Sequence, residues 1–297
     1  MKVLSLFDGI SCGMLALKRA NISVDRYDSY EIDSNAIKVS NKNFPEIIQH
    51  GNVVGADFSQ YYGYDILMGG SPCQGFSSAG KQLNFNDPRS KLFFEYVRAL
   101  KEAKPKWFLL ENVKMKREYE DVITNMLGVE PIEINSKLVS AQNRVRLYWT
   151  NIPNVKQPVD KNINLIDILE DKKYLNKATI VGRRINDKGH REDYNKDIKI
   201  TQCLEVRNSN TNKSNCLTTV DKDNVLTSLP IGRYADCFGI QSGHRLPFRY
   251  YTRRECERLQ TLPDGYTDAI SESAAKKACG NGWTVDVIGH ILSNIPH

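Results

Sequence analysis

Over its first 150 residues the chain alternates short apolar runs with turns and amphipathic stretches, and few folds accommodate that alternation. Residues 2–7, 24–30, 47–49, 64–68 and 107–113 are strand-like runs. Residues 14–20, 34–43, 90–103 and 118–127 read as the helices between and after them. Repeated strand–helix units predict an α/β fold with a mostly parallel sheet, because parallel neighbours need a crossover and a helix is the usual one. Residues 131–139 have the alternating character of a further strand, and 140–150 close the unit.

Composition shifts near Pro153. From Asn154 to about Arg249 the chain is polar and rich in Asn, Asp, Lys and Thr, with helical periodicity only over 163–171. Short strand-like pieces recur at 178–181, 198–200 and 216–220. This region reads as a smaller, irregular, β-rich domain. Arg183, Arg184, Lys188, His190, Arg191, Lys196, Lys199, Arg207 and Lys213 give it either a phosphate-facing surface or a merely solvated one. Thr252 with Glu255 three residues on forms a capping box, and Pro263 is the expected stop of that helix. A Gly280-Asn281-Gly282 turn then precedes a last helix reaching about Ile295. The expected division is therefore 1–153, 154–250 and 251–297.

At 297 residues the chain can bury a sizeable core. Hydrophobic content of 40% and charged content of 26% are those of an ordinary globular protein. No apolar run approaches the 18 or so residues of a membrane span. The strand-like start lacks the pattern of a signal peptide, so a cytoplasmic protein is expected. Seven cysteines with no C-x-x-C pair argue against a disulfide framework and against a zinc site. A net charge of +6 suits a polyanionic partner without requiring one.

Two strand ends carry the candidate chemistry. The run 64–68 breaks at Gly69-Gly70 and presents Ser71-Pro72-Cys73-Gln74 on a turn. The run 107–113 ends in Glu111-Asn112-Val113. Ligands of open α/β sheets gather at the carboxyl ends of strands, so a thiol and an acid would share a pocket there. Arg144 and Arg146, two residues apart in an extended segment, point to one side. The first strand runs into Asp8-Gly9-Ile10-Ser11-Cys12-Gly13, a glycine-bearing turn before a helix, as in the cofactor cradles of doubly wound folds. Its G-x-x-x-G spacing does not meet the dinucleotide fingerprint. The second strand ends at Glu31-Ile32-Asp33, where an acid commonly takes a ribose hydroxyl pair or caps the next helix.

Together these segments resemble the DNA cytosine-5 methyltransferase family, along nearly the whole chain outside 154–249. Phe7-Asp8-Gly9-Ile10-Ser11-Cys12-Gly13 is similar to the family's first cofactor motif, Pro72-Cys73-Gln74 to its catalytic motif and Glu111-Asn112-Val113 to its acid motif. Gln142-Asn143-Arg144-Val145-Arg146 resembles its Gln-x-Arg-x-Arg stretch. Residues 253–260 resemble the helix supporting the recognition domain, and Gly280-Asn281-Gly282 the last cofactor loop. Six motifs in the family's order are a specific signal. Asn52 departs from the Asp common at its position.

The resemblance implies a Rossmann-like, class I methyltransferase sheet with a target-recognition domain. It also implies S-adenosylmethionine as cofactor, S-adenosylhomocysteine as product, no metal, and double-stranded DNA as partner of a monomer. A cognate restriction endonuclease would be its genetic partner. A tRNA cytosine-5 methyltransferase and a catalytically silent binding module are the competing readings. Cys73, Glu111, Arg144 and Arg146 would be catalytic. Phe7, Asp8, Gly9, Ser11, Gly13, Glu31, Ile32, Asn52, Val53, Ser71, Pro72, Leu92, Asn281 and Val285 would hold the cofactor. Ser71, Gln74, Ser77, Lys81, Arg89, Asn112 and Gln142 would meet the substrate, with residues 74–88 as a lid over a flipped base.

Overall fold

A computed structural model describes residues 1–71, 91–206, 212–235 and 246–296. The calls on Pro72, Cys73, Gln74, Ser77, Lys81 and Arg89 lie outside the described residues.

Seven strands form the first sheet: β1 (Lys2–Leu6), β2 (Arg26–Tyr30), β3 (Ile48–Gln49), β4 (Ile66–Gly69), β5 (Trp107–Val113), β6 (Ile132–Asn135) and β7 (Val145–Thr150). Their order is β3-β2-β1-β4-β5-β7-β6, and β1 to β5 run parallel. The last pairings, β5 with β7 and β7 with β6, are antiparallel. The link 136–144 explains this, since a parallel return needs about a dozen residues or more. The expected strand over 131–139 is cut short because the Asn135 side chain accepts from the Lys137 and Arg144 amides and turns the chain.

The helices α1 (Cys12–Arg19), α2 (Ser34–Asn43), α3 (Lys91–Ala103) and α4 (Arg117–Leu127) follow from two-sided burial. Val3, Ile66, Met68 and Leu109 face one way, into a core shared with α1 and α2. Leu4, Leu6, Leu67, Phe108 and Leu110 face the other, against Phe93, Tyr96 and Val97 of α3 and Ile123 of α4. This period of two in every central strand, apolar on both sides, is what a covered parallel sheet requires.

The second sheet is wholly antiparallel, in the order β11 (Gly232–Ala235), β9 (Ile200–Val206), β8 (Asn176–Arg184), β10 (Val225–Thr227), β12 (Phe248–Tyr250). Among the described residues its own core cluster consists of Ala178, Ile180, Leu204, Val206 and Val225 as buried apolar residues. Before it, α5 (Leu165–Ile168) covers less than the helix expected over 163–171, because Leu169 turns extended at ψ 134°. Residues 216–220, expected as a strand, join neither sheet and dock instead against the first one.

Three helices close the chain: α6 (Arg253–Leu259), α7 (Glu272–Asn281) and α8 (Val285–Leu292). The capping box at Thr252 forms, with the Thr252 amide donating to Glu255 at 2.9 Å and the Glu255 amide to the Thr252 hydroxyl at 3.2 Å. The helix stops ahead of Pro263, at Thr261, whose φ of +56° is left-handed. Gly280 and Asn281 belong to the last turn of α7 rather than to an open turn. The reason is contact: a Cβ on Gly280 would lie 2.6 Å from the Thr218 carbonyl. Helix α8 returns to the first core through Val285, Ile288 and Ile291. Among the described residues no helix is long and apolar enough to cross a membrane.

Candidate active site

The order around β1, with β2 on one flank and β4 on the other, opens a crevice at the carboxyl ends of these strands. A cavity of about 370 Å³ occupies it. Its walls come from the ends of β1, β2, β4 and β5, from Leu92, Arg144 and Arg146, and from the α7–α8 connection.

At the end of β1 the chain turns through left-handed residues, Phe7 at φ +57°, Gly9 at +59° and Ser11 at +58°. For Phe7 and Ser11 this costs about 1–2 kcal/mol each, which buried hydrogen bonds offset. Asp8 accepts from the hydroxyls of Ser5 (2.5 Å), Ser11 (2.5 Å) and Tyr27 (2.6 Å). Burial pushes the Asp8 carboxyl above its ordinary value, although the hydroxyl donors pull the other way. The Gly9 amide donates to Glu31 at 2.8 Å, and Glu31 also accepts from the amides of Ile32 and Asp33 at 2.8 Å each. The acid at the end of β2 is thereby locked across two strands. Asp33 caps α2 by accepting from the Asn35 amide. Ile32 stays 75% exposed on the wall, an apolar face with room beside it. Asn52 accepts from the Val54 amide and lines the same side, next to Val53.

At the other end, register brings β4 and β5 level. Gly69 pairs with Leu110, so Gly70 lies beside Glu111. Gly69 has no room for a side chain, since a Cβ would meet the Leu6 carbonyl at 2.9 Å. Glu111 takes Arg146 Nε at 2.9 Å on one carboxylate oxygen and the Trp283 indole N–H at 3.2 Å on the other. Burial is the largest single influence on Arg146 and would lower its pKa, but the Glu111 charge together with Cys216 and Tyr148 prevails and holds the guanidinium above its ordinary value. The Asn112 amide donates to the Ser71 hydroxyl at 3.4 Å, tying the end of β5 to the residue before Pro72.

Arg144 and Arg146 do share a side, both reaching Cys216 Sγ. Their work differs. Arg144 is buried and donates to the carbonyls of Leu217 (2.9 Å), Gly280 (3.2 Å) and Gly282 (2.9 Å). It staples the entry to β7, the 216–220 segment and the end of α7 together. Gln142 is likewise buried, donating to the Leu259 carbonyl at 2.5 Å and to Gln260, and accepting from the Leu217 amide.

Of the residues singled out in the sequence, Phe7, Asp8, Gly9, Glu31, Ile32, Asn52, Val53, Ser71, Leu92, Glu111, Asn112, Arg144, Arg146 and Asn281 line this cavity. Ser11, Gly13, Gln142 and Val285 do not. Ser11 caps the turn beneath through Asp8 and Ser40. Gly13 makes space for α1, since its Cβ would touch Met68 at 2.9 Å. Val285 is fully buried in the core of α8. Sequence reasoning passed over Tyr30, Gly70 and Trp283 as wall residues. For Trp283 a signal existed, an indole directly after a Gly-Asn-Gly motif.

The donor set suits S-adenosylmethionine. Apolar Ile32 and Val53 stand beside a polar edge at Asn52, and a carboxylate at Glu31 suits ribose hydroxyls. Among the described residues there is no group of three His, Cys, Asp or Glu able to hold a metal. Fold and cavity together fit a methyltransferase of the S-adenosylmethionine-dependent class.

Known proteins narrow this further. The family described as C-5 cytosine-specific DNA methylase matches residues 1–297, so the chain belongs to that family. It is 31% identical to the type II methyltransferase M1.ScrFI of Lactococcus lactis subsp. cremoris, over 99% of this chain and 77% of that one. It is 35% identical to the orphan methyltransferase M.SPRI of Bacillus phage SPR, over 54% of this chain and 39% of that one. The fold is similar to that of the Entamoeba histolytica methyltransferase EhMeth, with a TM-score of 0.69 and 19% identity over 99% of this chain and 97% of that one. The protein is a DNA cytosine-5 methyltransferase, and a tRNA substrate is not favoured.

Proposed function

We propose that the enzyme methylates C5 of a cytosine swung out of double-stranded DNA, through a bond between Cys73 and C6. The observation supporting this most is one cavity that joins the Glu31 end of β2 to Glu111 at the end of β5. When bound, S-adenosylmethionine supplies an electrophilic methyl group on a sulfonium. Glu31 would take its ribose hydroxyls, Ile32 its adenine face, Asn52 and Val53 its adenine edge and Asn281 its methionine end.

C5 of cytosine is a poor nucleophile. Addition of the Cys73 thiolate to C6 turns the ring into an enamine and makes C5 nucleophilic. That addition loads negative charge onto N3 and O2. Glu111 disperses it by sharing a proton with N3, and Arg146 holds O2 and its flank. The Ser71 carbonyl accepts from the exocyclic amine. After transfer a solvent base takes the C5 proton, and the C6–S bond breaks with its electron pair returning to Cys73 as thiolate. A stacked base hides C6, so flipping is needed and costs a few kcal/mol. Residues 74–88, with Lys81 and Arg89, serve as the lid.

In this reading residues 1–153 carry catalysis, 154–250 recognise the target and 251–297 support both. The enzyme works as a monomer, with or without a cognate endonuclease. Labelled cofactor and mixed duplexes provide the test, followed by bisulfite-type sequencing of the products. Absence of 5-methylcytosine in every context, or full activity of Cys73→Ala, defeats the proposal. A parallel arm on tRNA separates the substrates, and trapping on 5-fluorocytosine DNA separates an enzyme from a silent binder.

A further inference from the structure

Trp283 stands 172 residues from Glu111, yet its indole N–H donates to the Glu111 carboxylate at 3.2 Å. The carboxylate is therefore gripped from two sides, by Arg146 Nε at 2.9 Å and by the indole. Gly70 makes room for that grip. A Cβ there would lie 2.9 Å from Trp283 Nε1 and 3.2 Å from Glu111 Oε2, displacing both members of the contact. Trp283 also walls the cavity between Gly282 and the ends of β4 and β5. Its ring reaches the opposite flank too, 3.5 Å from where a Cβ on Gly13 would be. One side chain thus touches the acid, the strand end leading to Cys73 and the first helix of the cofactor cradle.

We infer that Trp283 is a positioning residue, whose indole N–H fixes the rotamer of Glu111 against Arg146, with Gly70 as the glycine that admits the contact. The chemistry is simple. A carboxylate on a flexible stem can turn its oxygens away from a reacting base. One donor on each oxygen holds the group in a single orientation, so little reorganisation is left for the reaction. An aromatic donor suits the place because its ring seals the cavity wall while its edge carries the proton. The role assigned to Glu111 rests on the function proposed above; the contact itself does not.

The test separates the two. The chain has three tryptophans, so an indole ¹⁵N–¹H spectrum of the full-length protein shows three side-chain resonances, and Trp283→Phe identifies its own. Glu111→Gln should move the Trp283 resonance upfield, because a charged acceptor is replaced by a neutral one, and leave those of Trp107 and Trp149 in place. In kinetics at saturating cofactor, Trp283→Phe should lower kcat about tenfold to a hundredfold, the scale of a misplaced catalytic group. Its KM for DNA should change little. Trp283→His, which keeps a ring N–H, should recover part of the loss. Gly70→Ala should shift the same resonance and lower kcat similarly. A Trp283 resonance indifferent to Glu111→Gln overturns the contact. An unchanged kcat in Trp283→Phe overturns the positioning role. If wild-type protein transfers no methyl group while the resonance still responds, the function proposal fails and the contact stands.

Discussion

The two sheets of this molecule solve the burial problem differently. In the first, central strands are apolar on both faces and helices cover both sides. Fully burying one such Leu or Ile contributes about 1.5–3 kcal/mol, and Leu4, Leu6, Ile66, Leu67, Leu109 and Leu110 are all buried. Among the described residues the second sheet buries five apolar residues in its own core and leaves Ile200 of β9 exposed. The region around it is anchored by side chains of the link before β7 and of the helices beyond. Arg144 holds Leu217, Gln142 holds the same residue's amide, and Glu255 of α6 takes Arg249 through two bonds of 2.7 Å. A self-sufficient core can afford a cavity at its strand ends. The small core instead depends on a few polar staples for its attachment.

If the chemistry belongs to the first sheet alone, Glu111→Gln should lower kcat by about a hundredfold or more, while cofactor binding by calorimetry stays near wild type. Leu204→Ala in the second core should do the reverse. We expect it to weaken duplex binding at a cost of about 3 kcal/mol in that lobe's stability, with cofactor affinity unchanged. Arg144→Met leaves three carbonyls without their donor, and urea unfolding should show a loss of about 3 kcal/mol. A first transition restricted to the second lobe would confirm Arg144 as the staple. Gly280→Ala presses on the Thr218 backbone and should cost about 1–3 kcal/mol, with the same lobe loosened first.

The smallest expected effect is in pH dependence. Asp28 is buried, and burial alone would raise its carboxyl. Hydrogen bonds from Arg26, His50 and Tyr64 prevail and hold it below its ordinary value. A depressed carboxyl contributes stability that is present at neutral pH and is lost as pH falls through its folded value, below about pH 4. Asp8 is shifted the other way, so its contribution is favourable at low pH and is lost as pH rises through its raised value. Asp28→Asn should therefore flatten the acid limb of a stability–pH curve. An unchanged limb would assign acid unfolding to other carboxylates, such as Asp264 beside Arg258.

Local signals were read well from the chain. The capping box at Thr252 and the Asp33 cap on α2 depend on neighbours within three residues, and both form. The parallel core followed from apolar runs and their spacing. Distant relations were not legible. Gly280-Asn281-Gly282 looked like a turn, yet Gly280 and Asn281 end α7, because the glycine serves close approach to Thr218 rather than bending. Residues 216–220 looked like a strand, yet they find side chains instead of a sheet edge. Arg144 and Arg146 looked equivalent, and one became a buried staple while the other reached Glu111.

By itself the sequence determined which residues stand at strand ends, since a period of two and a glycine break are properties of a few consecutive residues. Only the tertiary structure decided what those residues touch. Trp283 on Glu111 and Arg144 on Leu217 are contacts between parts of the chain far apart in sequence, brought together by the packing of the whole core. No local pattern encodes such a distance, because the position of each partner is set by every layer of side chains buried between them.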